Sequence, residues 1–307
     1  MRYLVTGGAG FIGSHLACTL VEQGATVRIL DNFSSGRREN ISSLDVEVIE
    51  GDLRHADTVA KTVRGVDCIF HEAAFVSVPE SMEKPQECYD VNITGTSVLL
   101  EAARKQGVKR VVIASSAAVY GDLEVIPLAE ESPVRQLTPY AVSKRVDEMY
   151  AELYTNAFGL EVTALRYFNV YGPRQRPDSM YAAAVPIFIS RMLDKKPVTI
   201  FGDGGQSRDL IHVRDVIQAN LIACEHPSAP GQVFNVCTGH ETRLLDLLDE
   251  LYRLFPGAPK PVSVEPRIGD IYRSVGSPKK ALDVLGFRPK VTLSNGLRET
   301  VEAMRAK

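Results

Sequence analysis

Tyr140 and Lys144 stand four residues apart in Tyr140-Ala141-Val142-Ser143-Lys144, early in a segment that reads as a helix running towards Gly159. That spacing puts both side chains on one helical face, one turn apart. A free phenol has a pKa of about 10 and is a poor base at neutral pH. A neighbouring ammonium favours the phenolate and brings it into range for proton abstraction. Upstream, Arg110-Val111-Val112-Ile113 begins an apolar strand that closes on Ser115-Ser116. Ser116 therefore falls where the carboxyl end of a sheet strand meets a ligand crevice. Its hydroxyl could pass a proton or a hydrogen bond between a substrate hydroxyl and Tyr140. A Tyr-x-x-x-Lys pair alone is common; it becomes informative only with what surrounds it.

The surroundings begin with Thr6-Gly7-Gly8-Ala9-Gly10-Phe11-Ile12-Gly13, which follows a short strand and opens a helix. Gly7 permits a tight turn, Gly10 lets the backbone approach a pyrophosphate, and Gly13 allows close helix–strand packing. The helix start adds free N–H groups and partial positive charge. Asp31, at the end of the second strand, is placed to bond an adenosine ribose 2'-hydroxyl and would repel a 2'-phosphate, which favours NAD over NADP. Arg37 and Arg38 are the residues that would serve the opposite choice. Gly51-Asp52-Leu53 follows the third strand, where Asp52 could reach an adenine amino group or be a simple loop aspartate. With a dinucleotide in place, Lys144 could also hold the nicotinamide ribose, and the positive ring would further favour the Tyr140 phenolate.

These residues need a frame. Tyr3-Leu4-Val5, Thr26–Leu30, Val46–Ile49, Asp67–Phe70 and Arg110–Ile113 read as strands, separated by helices that stop near Gly24, Gly65 and Gly107. Asp57 is the expected cap of the second helix. Near-continuous apolar strands alternating with helices predict a doubly wound, Rossmann-type α/β fold with a parallel sheet. From about Arg166 the alternation loosens; Gln232–Val236 could return to the sheet, and Ala258–Pro266 is rich in proline and extended. The expected division is a dinucleotide-binding domain, 1–168 plus about 213–237, and a smaller, mostly C-terminal substrate domain, about 169–212 and 238–307.

The 307 residues carry 35 Lys plus Arg against 38 Asp plus Glu, a net charge of -3, which offers no field for nucleic acid or an anionic membrane. No apolar run approaches the roughly 18 residues of a membrane span. The five cysteines form no metal-ligand spacing and read as packing residues of a protein in the reducing cytoplasm.

The glycine loop, Asp31-Asn32-Phe33-Ser34-Ser35-Gly36, His71-Glu72-Ala73-Ala74, Ser115-Ser116-Ala117-Ala118-Val119-Tyr120-Gly121, Tyr140-x-x-x-Lys144 and Arg166-Tyr167-Phe168-Asn169 together resemble the extended short-chain dehydrogenase/reductase family. The likeness is closest to the UDP-hexose 4-epimerases and covers essentially the whole chain. It implies Ser116, Tyr140 and Lys144 as the catalytic group. It also implies cofactor contacts from Gly7, Gly10, Phe11, Ile12, Gly13, Asp31, Asn32 and Tyr167. Asp52 and Leu53 would flank adenine, Ala73 and Ala74 line the cofactor channel, and Asn92 bond the cofactor. Asn169 would contact the nucleotide-sugar, Arg208 and Arg267 clamp its diphosphate, and Asp270 bond the uridine ribose. Ser274 matches the position that gates the substituent at sugar carbon 2, where a small residue leaves room for an acetamido group. One departure stands out: Phe75-Val76-Ser77-Val78-Pro79 lacks the lysine with which some members contact a cofactor phosphate.

The activity implied is NAD-dependent 4-epimerisation of a UDP-hexose through a 4-keto sugar, with UDP-glucose/UDP-galactose and the N-acetylated pair as substrates. UDP-glucuronate is the alternative substrate. A 4,6-dehydratase needs a further acid/base pair where this chain has Ala117-Ala118, and a non-catalytic NAD-binding regulator needs neither Tyr140 nor Lys144. The resemblance also implies a homodimer, with the Tyr140 helix and the helix after Asn92 pairing across a two-fold axis. Val98-Leu99-Leu100 and Met149-Tyr150-Leu153 are candidates for that surface or for the core.

Overall fold

A computed structural model describes residues 1–177, 183–266 and 271–306. β1 (Arg2–Thr6) leads to α1 (Phe11–Glu22), β2 (Thr26–Asp31), β3 (Glu47–Glu50), α2 (Ala56–Val63) and β4 (Cys68–His71). Two short helices, α3 (Val78–Glu83) and α4 (Pro85–Tyr89), precede α5 (Gly95–Gln106), β5 (Arg110–Ser116), α6 (Pro139–Phe158) and β6 (Glu161–Tyr167). The chain continues through β7 (Asn169–Tyr171), α7 (Ala184–Leu193), β8 (Thr199–Phe201), β9 (Ser207–Arg208), β10 (Leu210–His212), α8 (Val213–Glu225) and β11 (Val233–Val236). It closes with β12 (Thr242–Arg243), α9 (Leu244–Leu254), β13 (Val262–Val264), β14 (Arg273–Ser274), α10 (Lys279–Leu285) and α11 (Leu293–Arg305).

Seven strands form one sheet in the order β11-β6-β5-β4-β1-β2-β3, every neighbouring pair parallel. Successive residues of a strand face opposite sides. Val5, Ile29, Phe70 and Val112 therefore enter the core under α1 and α8, while Leu4, Leu30, Ile69 and Val111 enter the core under α2, α5 and α6. Burial on both faces explains the near-continuous apolar runs. A separate apolar cluster joins α7, α9 and α11 through Phe188, Ile189, Leu248, Leu251, Leu297 and Val301. The return of 232–236 to the main sheet is borne out, beside β6. The extended segment 258–266 contributes β13, which pairs in parallel with β8.

One reading is corrected and one open alternative is decided. His55, not Asp57, is the cap of α2; Asp57 lies inside its first turn, where a carboxylate meets the positive end of the helix dipole. Leu99 and Leu100 are fully buried in the core and so supply no outer surface, whereas Met149 and Leu153 are exposed. Among the described residues no helix is long and apolar enough to cross a membrane. The strand order reverses at β1: the chain builds outward through β2 and β3, then returns to β4 on the other side. That is the switch point at which such sheets open a crevice.

Candidate active site

A cleft of about 960 Å³ lies along the carboxyl ends of β1, β2, β4 and β5. Gly7, Gly10, Phe11, Ile12 and Gly13 form one wall. The Gly7 backbone is left-handed, with φ +67°, and a Cβ there would stand 2.7 Å from Ala73 N. A Cβ on Gly13 would stand 2.3 Å from Gly7 O, so α1 packs against the turn only because both residues are glycine. No side chain caps α1 and no carboxylate lies in its first turn. Its unsatisfied N–H groups thus face a cleft shaped for an anion.

Asp31 lines the cleft at the end of β2. Its carboxylate accepts from Ala9 N at 2.9 Å and Phe33 N at 2.8 Å, and burial pushes its pKa up. Asn32 donates to Asp52, which Arg54 holds well below the usual carboxylate range by a two-pronged hydrogen bond. Asn32, Asp52 and Leu53 all line the cleft. Arg38, a candidate for a 2'-phosphate, is instead paired with Glu50 and stacked over Phe33 with 4.0 Å to the ring centre.

Ser116, Tyr140, Lys144, Tyr167, Ala73 and Ala74 line the other end, so the predicted catalytic group is brought together. Thr138 caps α6 through Ala141 N, with Pro139 in the first turn, which fixes Tyr140 and Lys144 at the start of a long helix. Lys144 Nζ donates to Ala114 O at 2.8 Å and to Asp147 Oδ2 at 3.1 Å. Burial alone would lower the lysine pKa; the charges of Asp147, Tyr140 and Glu72 outweigh it and hold the ammonium above its ordinary value. Ser115 and Ser116 divide as strand neighbours must. Both line the cleft, but the Ser115 hydroxyl is turned to the buried Glu148, itself clamped by Arg166, whereas the Ser116 hydroxyl accepts from Ala118 N. Tyr167 donates to Glu72 Oε1 at 2.8 Å, and burial pushes Glu72 up to about 7.

Asn92 takes a different place from the one expected. It sits in a wide helical turn, Asp90–Thr94, and is 1% exposed. Its side chain accepts from Phe75 N at 2.7 Å and donates to Ser143 Oγ at 2.9 Å, bracing the loop after β4 against α6 rather than lining the cleft. His71 is bonded on one side to Thr6 and on the other to Thr96, tying β1, β4 and α5 together; burial keeps it neutral, with its pKa down to about 3.

A second cavity of about 440 Å³ shares Val170 and Ala183 with the first. Asn169 and Arg208 line it, as do Arg191, Phe201 and Arg243. Ser274 does not; it pairs with Arg208 through β14 and β9, one strand away from the cavity wall. Arg267 and Asp270 lie outside the described residues.

Sequence reasoning quoted Glu72 without a role and passed over Asp147, Arg191 and Arg243. Asp147 was findable, because a carboxylate three residues beyond a lysine on a helix is an ion-pair signal. Glu72 was not: a charge after a strand ordinarily reads as solvated.

A parallel doubly wound sheet, a glycine-built anion cradle at its switch point and a Tyr–Lys pair at the far end define a dinucleotide-dependent enzyme. The comparisons agree. The NAD dependent epimerase/dehydratase family profile matches residues 3–237. A UDP-glucose 4-epimerase of Mycolicibacterium smegmatis is 40% identical over 313 residues, covering 100% of this chain and 99% of that one. Among solved structures, a Thermotoga maritima UDP-glucose 4-epimerase with UDP-glucose superposes with a TM-score of 0.95 at 40% identity, over 100% of this chain and 99% of that one. A UDP-N-acetylglucosamine 4-epimerase from Methanobrevibacter ruminantium, in complex with UDP-N-acetylmuramic acid, gives 0.95 at 36% identity, over 99% and 98%. The chain belongs to the NAD dependent epimerase/dehydratase family, and NAD is the dinucleotide its cleft is built for.

Proposed function

We propose that the protein interconverts UDP-hexoses epimeric at carbon 4, UDP-glucose with UDP-galactose and the N-acetylated pair as well. The observation that carries this reading is the adjacency of the two cavities, which share Val170 and Ala183 in their walls. The Tyr140–Lys144–Ser116 group stands at one end of the NAD cleft, and the shared wall of Val170 and Ala183 leads to a cavity with Asn169 and Arg208. A planar guanidinium suits a diphosphate. NAD held in the cleft would supply the acceptor and donor of hydride for sugar carbon 4. Tyr140, beside the Lys144 ammonium, takes the proton of the 4-hydroxyl, and Ser116 holds the substrate oxygen. The sugar then turns about its diphosphate linkage so that the opposite face of carbon 4 would receive the hydride, and Tyr140 returns the proton to the same oxygen. Arg208 and Asn169 keep the nucleotide in place meanwhile; Arg267 and Asp270 join them on the family pattern.

Dehydration lacks its extra proton carriers, since Ala117 and Ala118 bear none. UDP-glucuronate remains the alternative substrate. We divide the chain into an NAD-binding unit, 1–168 plus about 213–237, and a nucleotide-sugar unit, about 169–212 and 238–307. Exposed Val142, Met149 and Leu153 on α6 support a homodimer built on that helix, and the five free cysteines suit the cytoplasm. Light scattering at micromolar concentration tests the dimer; a monomer mass refutes it. Incubation with UDP-galactose, UDP-N-acetylgalactosamine and UDP-glucuronate in separate arms tests the reaction. Chromatographic appearance of the first two 4-epimers is expected; conversion of UDP-glucuronate alone would replace the substrate assignment, and conversion of none would sink the reading.

A further inference from the structure

Lys144 is 3% exposed, and Asp147, one turn further along α6, is 0% exposed. An ammonium taken out of water loses its charge unless an opposite charge replaces the solvent. Nζ has one neutral partner, Ala114 O at 2.8 Å, and one anionic partner, Asp147 Oδ2 at 3.1 Å. The other carboxylate oxygen, Asp147 Oδ1, is buried and accepts no hydrogen bond. The Thr96 hydroxyl lies beside Asp147 from α5 and is shared with Asn92 O and His71 Nε2. A residue needed only to fix Nζ in place would require a single carbonyl oxygen. A full carboxylate with one oxygen unsatisfied costs stability, and what it adds is charge.

We propose that Asp147 is a positioning residue, the counter-ion that keeps Lys144 charged and aimed so that Tyr140 works as a base. The proposal rests on the reading of Tyr140 and Lys144 as the acid/base pair. The charged and titratable groups around it are Lys144, Tyr140 and Glu148 on α6, Cys88 on α4, whose thiol burial pushes up, Glu72 in the loop after β4, and His71 at the end of β4, which burial keeps neutral. Burial pushes Asp147 up to about 6, against the pull of Lys144. Below that pH the aspartic acid is neutral, and the acidic medium alone keeps Lys144 protonated. Above it the pair is ionic and carries the lysine charge into the alkaline range. Without Asp147, Lys144 loses its proton at a lower pH and Tyr140 loses its activation with it.

The test is carbon-13 NMR of the purified holoenzyme labelled at lysine Cε, with the Lys144 signal assigned by its absence from Lys144→Met. In the wild-type protein that signal should inflect near pH 6, with or without Glu72→Gln, and then hold its ammonium position to about pH 10. Asp147→Asn keeps the shape and removes the charge. It should abolish the inflection, lower the Lys144 midpoint by about one pH unit or more, and move the alkaline limb of kcat down by the same amount. A wild-type signal without the inflection overturns the proposal, as does an Asn variant whose Lys144 titrates as before and whose kcat falls evenly at all pH values. If Asp147→Asn does not fold, the wild-type and Glu72→Gln titrations decide alone. The titration is read without substrate, so failure to epimerise with the titration as expected would sink the reaction and leave the counter-ion standing.

Discussion

Tyr167, at the end of β6, donates its hydroxyl proton to Glu72 of the loop after β4 across 2.8 Å, joining two strands that are not neighbours in the sheet. Burial pushes Glu72 up to about 7, while Tyr167 and Lys144 pull the other way. The folded protein therefore keeps a proton that the unfolded chain releases near the ordinary glutamate value of about 4.3. Stability tied to this group is complete below that value and is lost as pH rises through about 7. Glu72→Gln should gain in melting temperature over the wild-type protein at pH 8 relative to pH 5. An equal difference at both pH values would mean that Glu72 does not hold its proton in the fold.

Tyr140→Phe removes a hydroxyl from the cleft and leaves the cap of α6 untouched. Melting temperature and bound NAD should be unchanged, while turnover falls by about 10²–10⁴-fold, the usual contribution of a positioned base. Lys144→Ala should also be slow, because the ammonium that favours proton abstraction by Tyr140 is gone. Near wild-type turnover by the Phe variant would remove Tyr140 from the mechanism.

The fold and the cofactor end were legible because local rules decide them. Glycine spacing, apolar strands buried on both faces and glycines after helices each act over a few residues, and the positive φ of Gly107 and Gly159 at the ends of α5 and α6 shows the last at work. What stayed hidden depends on distant partners. Asn92 braces Phe75 and Ser143, 17 and 51 residues away, and Glu72 finds Tyr167 95 residues on. No spacing rule connects such pairs. The same holds for Leu99 and Leu100, whose burial is set by packing of α5 on α2 and the sheet.

Asp31 holds two backbone N–H groups and lines the cleft, where the proposed function gives it the adenosine ribose. Asp31→Ala leaves both donors without that acceptor, a cost of about 1–3 kcal/mol for each that stays dry. The variant should melt lower and lose NAD during purification. Nucleotide released from the wild-type protein by mild denaturation should be NAD(H); recovery of NADP(H) would contradict the role of Asp31.

Ser274 sits beside Arg208 rather than on the cavity wall, so its gating role depends on the sugar reaching across β9. Ser274→Tyr should abolish turnover of the N-acetylated substrate and spare the plain hexose. Overpacking costs about 1–3 kcal/mol, enough to change the specificity ratio tenfold. An unchanged ratio would show that Ser274 is not the gate.

In the proposed reaction one bound NAD would serve both halves of the exchange at carbon 4. The direct measurement uses UDP-galactose carrying deuterium at carbon 4 and enzyme as purified, with no nucleotide added. The account predicts UDP-glucose with the deuterium retained at carbon 4. Product that has lost the label to solvent, or turnover that depends on added NAD, would contradict it.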